Sequence, residues 1–558
     1  MKTLFIEQTG QLAPDWNQIN WDQVERAVRR LQERIYRATQ RQEWRVVRSL
    51  QKLLARATAN KLLAIRRVTQ QNQGKRTPGV DGKVYLNSEA RSALAREPFS
   101  FKGYRPQPVK RVYIPKHDGK KLRGLGIPAI RDRVYQGIVK AALEPEWEAR
   151  FEANSYGFRP GRCCMDAIVQ LHNTLSRRGG SEWILDADIS GCFDHISHEP
   201  LLARIPVFKT AVRRWLKAGV VELGHYQETM EGVPQGGVIS PLLMNVALDG
   251  MERLFHCESR NGTPIAPGMR PGPDRGVSLL RYADDFVATA PSQEVLESYV
   301  RPKIEQFLAE RGLTLNAVKT RIVHVDEGFN FLGFTIRRFK GKVLTKPQKA
   351  KVQAHLRRLK AMVVEEGAAP QETLIERLNP VIRGWCNYYQ HGVAARTYHH
   401  VGHHLWHMLW QWAKRRHPHK PSRWIAKRYW KTVGHRKWVF GTAEKTLRHP
   451  GDTKITRWVK VRGRSSPYDP TLRDYWADRN QRTLASEIVT QPKLTIIKAQ
   501  DYRCGSCGLQ FQPDDAIDLH HRVPRVEGGP DTVDNLMALH QHCHHQWHAS
   551  HGRQVLKA

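Results

Sequence analysis

The stretch Arg281-Tyr-Ala-Asp-Asp-Phe-Val-Ala-Thr-Ala290 sets two adjacent acids inside a run that is otherwise apolar or β-branched on both sides. Val277, Leu279 and Leu280 lead in, and Phe286, Val287, Ala288 and Thr289 lead out. Strand, tight turn and strand is the economical reading, with Asp284 and Asp285 at the tip. Carboxylates on a hydrophobic hairpin must be solvated or have their burial offset, and a divalent cation is the usual way to hold clustered acids together. Asp is also an ordinary turn former, so the hairpin alone leaves both readings standing.

A second acidic strand favours the metal. Trp183-Ile-Leu-Asp-Ala-Asp-Ile-Ser-Gly-Cys-Phe-Asp-His195 opens with apolar residues and, by strand alternation, puts Asp186 and Asp188 on one face. Between the acidic stretches lies Gly232-Val-Pro-Gln-Gly-Gly-Val-Ile-Ser-Pro241. The Asp188 to Phe193 stretch, this glycine-rich segment and Tyr282-Ala-Asp-Asp285 resemble, in that order, the polymerase motifs of reverse transcriptases. The wording from Pro234 to Pro241 is most similar to proteins encoded by group II introns.

That resemblance implies a multidomain α+β chain: a right-hand polymerase with fingers and palm, a helical thumb or maturase domain, and a small zinc-containing ββα-metal HNH domain. The expected divisions are 1–85, a basic helical extension that binds intron RNA; 86–340, fingers and palm; 341–440, thumb and maturase; 441–495, a DNA-binding segment or a linker; and 496–558, the HNH endonuclease.

Charge points the same way. Lys plus Arg number 90 against 53 acids, a formal net charge of +37, which favours a polyanionic partner over a small neutral substrate. A membrane is the other polyanion, but the sequence offers no span of bilayer length and no lipidation motif. Met1 to Gly10 lacks the apolar core of a secretory signal, and the 8 cysteines are scattered or gathered beside histidines rather than paired. The expectation is a cytoplasmic protein, bacterial and nucleoid-associated when on DNA.

From Trp21 to Gln73 apolar residues recur at helical spacing, among them Val24, Val28, Leu31, Ile35, Leu50 and Leu54, with arginines on the other faces. Charge on a helix usually means a solvated surface; the resemblance implies an RNA-gripping one. Tyr104 to Pro128 reads as two strands joined by a His117-Asp118-Gly119 turn. By resemblance this is the fingers hairpin, where Lys116 and Arg123 meet the nucleotide triphosphate, although the family often has proline where this chain has Gly124. Asn154 to Arg162 also matches the family and makes Arg159 a candidate template or nucleotide contact, against the alternative of a structured loop.

The polymerase roles implied are specific. Two Mg2+ ions about 3.5–4 Å apart serve phosphoryl transfer. Asp188 and Asp284 bridge them and Asp285 helps hold the site, while Asp194 is structural. Phe193 gates against a ribose 2′-hydroxyl, Gln235 and Gly236 lie under the nascent base pair, and Lys319 approaches the site. Ser292 to Arg311 is an amphipathic helix ended by Gly312, and Leu332-Gly333 belongs to the primer grip. Leu378-Asn-Pro-Val-Ile-Arg-Gly-Trp-Cys-Asn-Tyr-Tyr389 resembles the maturase thumb, where Trp385, Tyr388 and Tyr389 also suit the core of a helical bundle.

The tail carries a second chemistry. Cys504-Gly-Ser-Cys507 has zinc-ligand spacing, and His540 with Cys543 completes a tetrahedral set. Asp518-Leu-His-His-Arg-Val-Pro524, Asn535, and His544 with His548 at helical spacing make the segment look like an HNH nuclease. The resemblance implies that His520, His544 and His548 hold one divalent ion, that His521 is the base activating water, and that Asn535 orients it. A histidine replaces one of the usual zinc cysteines, which leaves open how His540, His542, His544 and His545 divide between the metals. A purely structural zinc finger is the alternative.

The function expected is that of a multifunctional intron-encoded protein: RNA-directed DNA polymerase, splicing maturase and HNH nuclease that nicks DNA to prime copying. Its partners are its own intron RNA, a DNA target and deoxynucleoside triphosphates, with a homodimer left open. One rival is an RNA-binding splicing cofactor with little polymerase activity, and a second is a general polymerase used in host defence or variable-region copying, which the thumb signature and the HNH tail disfavour.

Overall fold

The computed structural model describes residues 15–115, 122–177, 180–258, 265–434, 436–487, 491–513 and 515–551. Lys116 and the His117 to Gly119 turn lie outside them.

The N-terminal helices Trp21–Gln40, Trp44–Arg56 and Thr58–Arg66 follow the apolar repeat: Val24, Val28, Ile35, Val47, Leu50 and Leu54 are buried together. The Asn20 side chain caps the first by accepting from Gln23 N. Their buried face closes on the helix Ile130–Arg150, with Gln51 Nε2 donating to Glu146 Oε2 at 2.7 Å.

Fifteen strands, in chain order, are β1 (Val109–Pro115), β2 (Leu122–Ile127), β3 (Trp183–Asp188), β4 (Val220–Glu222), β5 (His225–Gln227), β6 (Ser278–Tyr282), β7 (Asp285–Ala290), β8 (Arg321–His324), β9 (Phe329–Phe331), β10 (Phe334–Phe339), β11 (Lys342–Pro347), β12 (Trp430–Val433), β13 (Arg436–Phe440), β14 (Ile517–His521) and β15 (Leu536–His540), counted among the described residues. The fingers sheet runs β2-β1-β4-β5, and the palm sheet runs β6-β7-β3-β8 with every neighbour antiparallel. Gly124 sits inside the regular β1–β2 ladder, opposite Tyr113, rather than in a turn.

Alternation splits the palm sheet into two faces. Leu185, Ala187, Phe286 and Ala288 enter the core shared with Val139, Leu143 and Leu243. Ile184, Leu280, Val287 and Val323 enter the core that runs through the helix Cys164–Leu175 into the thumb. Behind the hairpin, Gln293–Val295, Leu296–Val300 and Arg301–Ala309 form one helical run whose middle turn is π, and Gly312 follows at φ +74.

The thumb is built from helices Lys349–Glu365, Gln371–Tyr389 and Ala395–Arg416. Trp385 stacks on His355 with centroids 4.6 Å apart, and Tyr388 Oη donates to Leu332 O at 2.7 Å while Tyr389 Oη donates to Gly333 O at 3.2 Å. These aromatics therefore hold the thumb together and tie it to the β9–β10 turn. The stretch 441–472 returns to the palm, where the fully buried Asp166 accepts from Trp458 Nε1, Val461 N and Arg479 Nη2 at 2.8–2.9 Å. At the C-terminal end, β14 and β15 form a hairpin followed by the helix Gln541–His551.

Candidate active sites

The palm hairpin has a two-residue tip. Tyr282 pairs with Asp285, and Ala283 takes φ +60, a left-handed conformation that usually belongs to glycine at this kind of turn. What holds it there lies behind it. The fully buried Arg281 donates through Nη1 to Ala283 O at 3.0 Å and to Asn245 Oδ1 at 2.9 Å. The 154–156 stretch runs along the edge of β6, with Tyr156 N donating to Arg281 O and Arg281 N to Asn154 O, both at 2.9 Å. Gly157 then passes so close that a Cβ there would lie 2.3 Å from Ala283 N.

At the front, Asp188 of β3 faces Asp285 of β7 directly in the register. Asp188 and Asp284 are half-buried, and Asp285 is open to solvent on its outer side. Desolvation by the surrounding cleft, then the charges of Asp284 and Asp188, push the Asp285 carboxyl up to about 7. Asp284 is raised by desolvation and by Asp188, with Arg123 and Lys319 opposing. Lys319 Nζ donates to Asp188 Oδ2 at 2.6 Å, which raises its own pKa. Asp186 shares that face but is engaged by Arg321 at 3.2 Å. Mutual repulsion among three acids is the electrostatic condition a divalent cation relieves, so the residues fit Mg2+.

Around this centre, Arg123 is exposed on β2 and within electrostatic reach of Asp284. Phe193 is half-buried, edge-on to Phe158 with centroids 6.3 Å apart. Gln235 O accepts from Gly126 N at 2.6 Å, and a Cβ on Gly236 would lie 2.7 Å from Gly126 O, so the glycine-rich segment docks on the end of β2. Arg159 departs from expectation. Its guanidinium is 1% exposed and grips Glu148 through two hydrogen bonds of 2.9 and 3.0 Å, so it braces the core and does not reach the cleft. Lys116 lies outside the described residues.

The C-terminal region brings together two ligand sets. Donor atoms of Cys504, Cys507, His540 and Cys543 lie within 4.8 Å of one another, as do those of His520, His544 and His548. The first is a largely buried Cys3His set, with Cys507 half-exposed, of the ligand composition that suits zinc, in which hydrogen bonds from Cys504 and Cys543 hold the Cys507 thiol well below its ordinary range. Asp515 Oδ2 meets His540 Nε2 at 3.1 Å, and Asp518 Oδ2 meets His544 Nδ1 at 3.2 Å, the carboxylate–imidazole pairing that orients metal-binding histidines. His521 Nε2 is 2.5 Å from Asp531 Oδ1. Asn535 spends its side-chain amide on the backbone: it accepts from Val523 N at 2.9 Å and donates to Val523 O and Pro530 O at 3.1 and 2.9 Å, clamping the loop that leaves β14. Sequence reasoning missed Asp518, although its alternate-position spacing from His520 put both on one strand face.

Four known families match successive stretches of the chain. Family models match as "N-terminal domain of reverse transcriptase" over 16–97, "Reverse transcriptase (RNA-dependent DNA polymerase)" over 114–336, "Group II intron, maturase-specific domain" over 352–430 and "HNH endonuclease" over 504–550. Protein YkfC of Escherichia coli is 36% identical over 52% of this chain and 83% of its own length. Group II intron-encoded protein LtrA of Lactococcus lactis is 30% identical over 42% of this chain and 47% of its own, so the match spans about half of that relative.

The chain belongs to the group II intron-encoded reverse transcriptases.

Membership in that family gives the three chemistries one framework: polymerase, maturase and HNH domains share one polypeptide. As a group II intron-encoded protein it carries its maturase-specific region on the thumb helices, whose tyrosines bond the β9–β10 turn. Among the described residues no helix is long and apolar enough to cross a membrane.

Proposed function

We propose that this protein copies its intron RNA into DNA at the palm, supports the folded form of that RNA through its basic helices and thumb, and nicks a DNA strand with its HNH domain to supply the primer. The observation that carries the reading is the confrontation of Asp188 with Asp285 across β3 and β7, beside Asp284 and the basic Arg123 and Lys319. Asp188 and Asp284 would hold Mg2+, with Asp285 supporting them; when bound, the ions neutralise the charge that builds on the transferring phosphoryl group. The primer 3′-hydroxyl gives up its proton to solvent, its oxygen bonds to the α-phosphorus, and the bond from the α-phosphorus to the bridging oxygen breaks so that pyrophosphate departs. Arg123 and Lys116 would grip the triphosphate oxygens, a task suited to a guanidinium fork and an ammonium. Phe193 would exclude a 2′-hydroxyl, and Gln235 and Gly236 would support the nascent pair.

In the tail, Cys504, Cys507, His540 and Cys543 would hold structural Zn2+, and His520, His544 and His548 a second divalent ion that polarises the scissile phosphate. His521, paired with Asp531, takes the proton of the attacking water. The water oxygen bonds to phosphorus, the bond to the 3′-oxygen breaks, and that oxygen takes a proton from solvent to become the 3′-hydroxyl the palm extends. Cytoplasmic action on nucleoid DNA follows from this reading.

Primer extension on an RNA template with Mg2+ and deoxynucleotides tests it. Asp284→Asn is expected to lose at least about 10³-fold in rate, the equivalent of several kcal/mol of metal-dependent stabilisation. Failure of the well-folded wild type on several primed templates would favour a splicing cofactor with little polymerase activity.

A further inference from the structure

Arg66 closes the helix Thr58–Arg66 and is 2% exposed, yet among the described residues no carboxylate lies within ion-pairing distance of it. The face of Trp21 lies 4.4 Å from its guanidinium carbon, and such a contact returns only part of the cost of burying a charge. The guanidinium reaches out of its own domain: Nη2 is 3.6 Å from Cys543 Sγ and 3.2 Å from His542 Nε2. A divalent ion on three thiolates and one neutral imidazole leaves the cluster one net negative charge. A buried cation without a carboxylate therefore stands directly against a ligand set that becomes anionic when loaded.

The surrounding contacts make this a docking face. Leu509, from the turn that follows Cys507, is buried in the hydrophobic core of the N-terminal helices. Gln70 Nε2 donates to Gln546 Oε1 at 2.9 Å, and Trp16 Nε1 donates to Gln70 Oε1 at 3.0 Å. Arg503 approaches Asp22 at 3.9 Å.

We propose that Arg66 is the counter-ion of the Cys504, Cys507, His540 and Cys543 zinc cluster, so that zinc binding and docking of the nuclease domain on the N-terminal helices are one linked equilibrium. Arg66 is a positioning residue: it acts through Cys543 and touches no reacting atom. The inference rests on the zinc reading of that ligand set. Linkage makes the coupling reciprocal: docking strengthens zinc binding by the factor by which zinc strengthens docking, and the guanidinium is the group through which that factor acts.

The test uses the full chain. Zinc content is measured first, then competition with a chromogenic chelator for wild type, Arg66→Gln and Arg66→Lys, then hydrogen exchange of wild type with and without chelator. Arg66→Gln is expected to lose about 10–100-fold in zinc affinity, as removal of an outer partner of a metal ligand does, with Arg66→Lys between the two. Chelation is expected to speed exchange in peptides covering 16–24 and 58–71, in the opposite domain, which a purely local structural zinc would leave unmoved. Unchanged zinc affinity in folded Arg66→Gln, or unchanged exchange in those peptides, overturns the coupling while leaving the zinc reading intact. A chain that binds no zinc through these ligands overturns both. Should Arg66→Gln fail to fold, the wild-type exchange experiment decides alone.

Discussion

Lys319 Nζ lies 2.6 Å from Asp188 Oδ2, so an ammonium sits on the carboxylate that stands opposite Asp285. The lysine is largely exposed, and a pair of this kind contributes roughly 0.2–1 kcal/mol. Lys319→Met should therefore lower the half-saturating Mg2+ concentration by up to about fivefold, because the cation no longer competes with the ammonium, while the rate at saturating Mg2+ falls. Extension assays across a Mg2+ titration check this, and a rise in half-saturating Mg2+ would sink it.

Gly157 offers a sharper probe of the hairpin tip. A methyl group there would collide with Ala283 N, which is backbone and cannot swing aside. Gly157→Ala should displace the turn that carries Asp284 and cut extension by about 100-fold, the scale expected when reacting groups shift by about 1 Å. Nicking should persist, since the C-terminal histidines share nothing with this turn. Wild-type extension rates in the variant would show that the tip relaxes freely.

Asn535 is 8% exposed and spends its amide on three backbone partners in the loop after β14. At about 1 kcal/mol each, Asn535→Ala should loosen that loop by about 2–3 kcal/mol. Strand nicking should be lost and primer extension kept. A variant that still cuts its target strand would remove the nuclease assignment.

His355 is buried against Trp385, and burial, helped by Arg358, holds its pKa down at about 4. Above pH 6.5 the imidazole is neutral folded or unfolded and its packing contributes fully. As pH falls from 6.5 towards 4 the unfolded chain gains a proton that the fold refuses, so stability is lost. By about pH 5 the loss approaches about 2 kcal/mol. Urea melts of His355→Phe at neutral pH and at about pH 5 should show a correspondingly smaller acid penalty than wild type; an equal penalty would place the acid sensitivity elsewhere.

How much of this was legible in the sequence depended on whether a residue's partner lay close along the chain or far from it. The hairpin tip, the acidic strand and the paired histidines at 544 and 548 were readable because strand and helix periods fix which neighbours share a face. Arg159 was misjudged because a motif displays a residue type and not its partner, and Glu148 on the preceding helix answers that arginine. Arg66 looked like one more basic residue on a charged helix; its neighbours, Trp21 and Cys543, lie 45 and 477 positions away in sequence. No local pattern encodes such a contact.

The Gln541–His551 helix serves Cys543 to one ligand set, His544 and His548 to another, and His542 and Gln546 to the N-terminal helices. Three demands fall on less than two turns of backbone, so rotating the helix to improve one spoils the others. The nuclease region is consequently a poor cassette. A graft beginning at Cys504 would carry both ligand sets to a new host but leave behind the arginine, glutamine and apolar socket that receive them. Recombination between such chains should succeed more readily when its crossover lies upstream of Asp15 than when it falls in the segment joining thumb to tail.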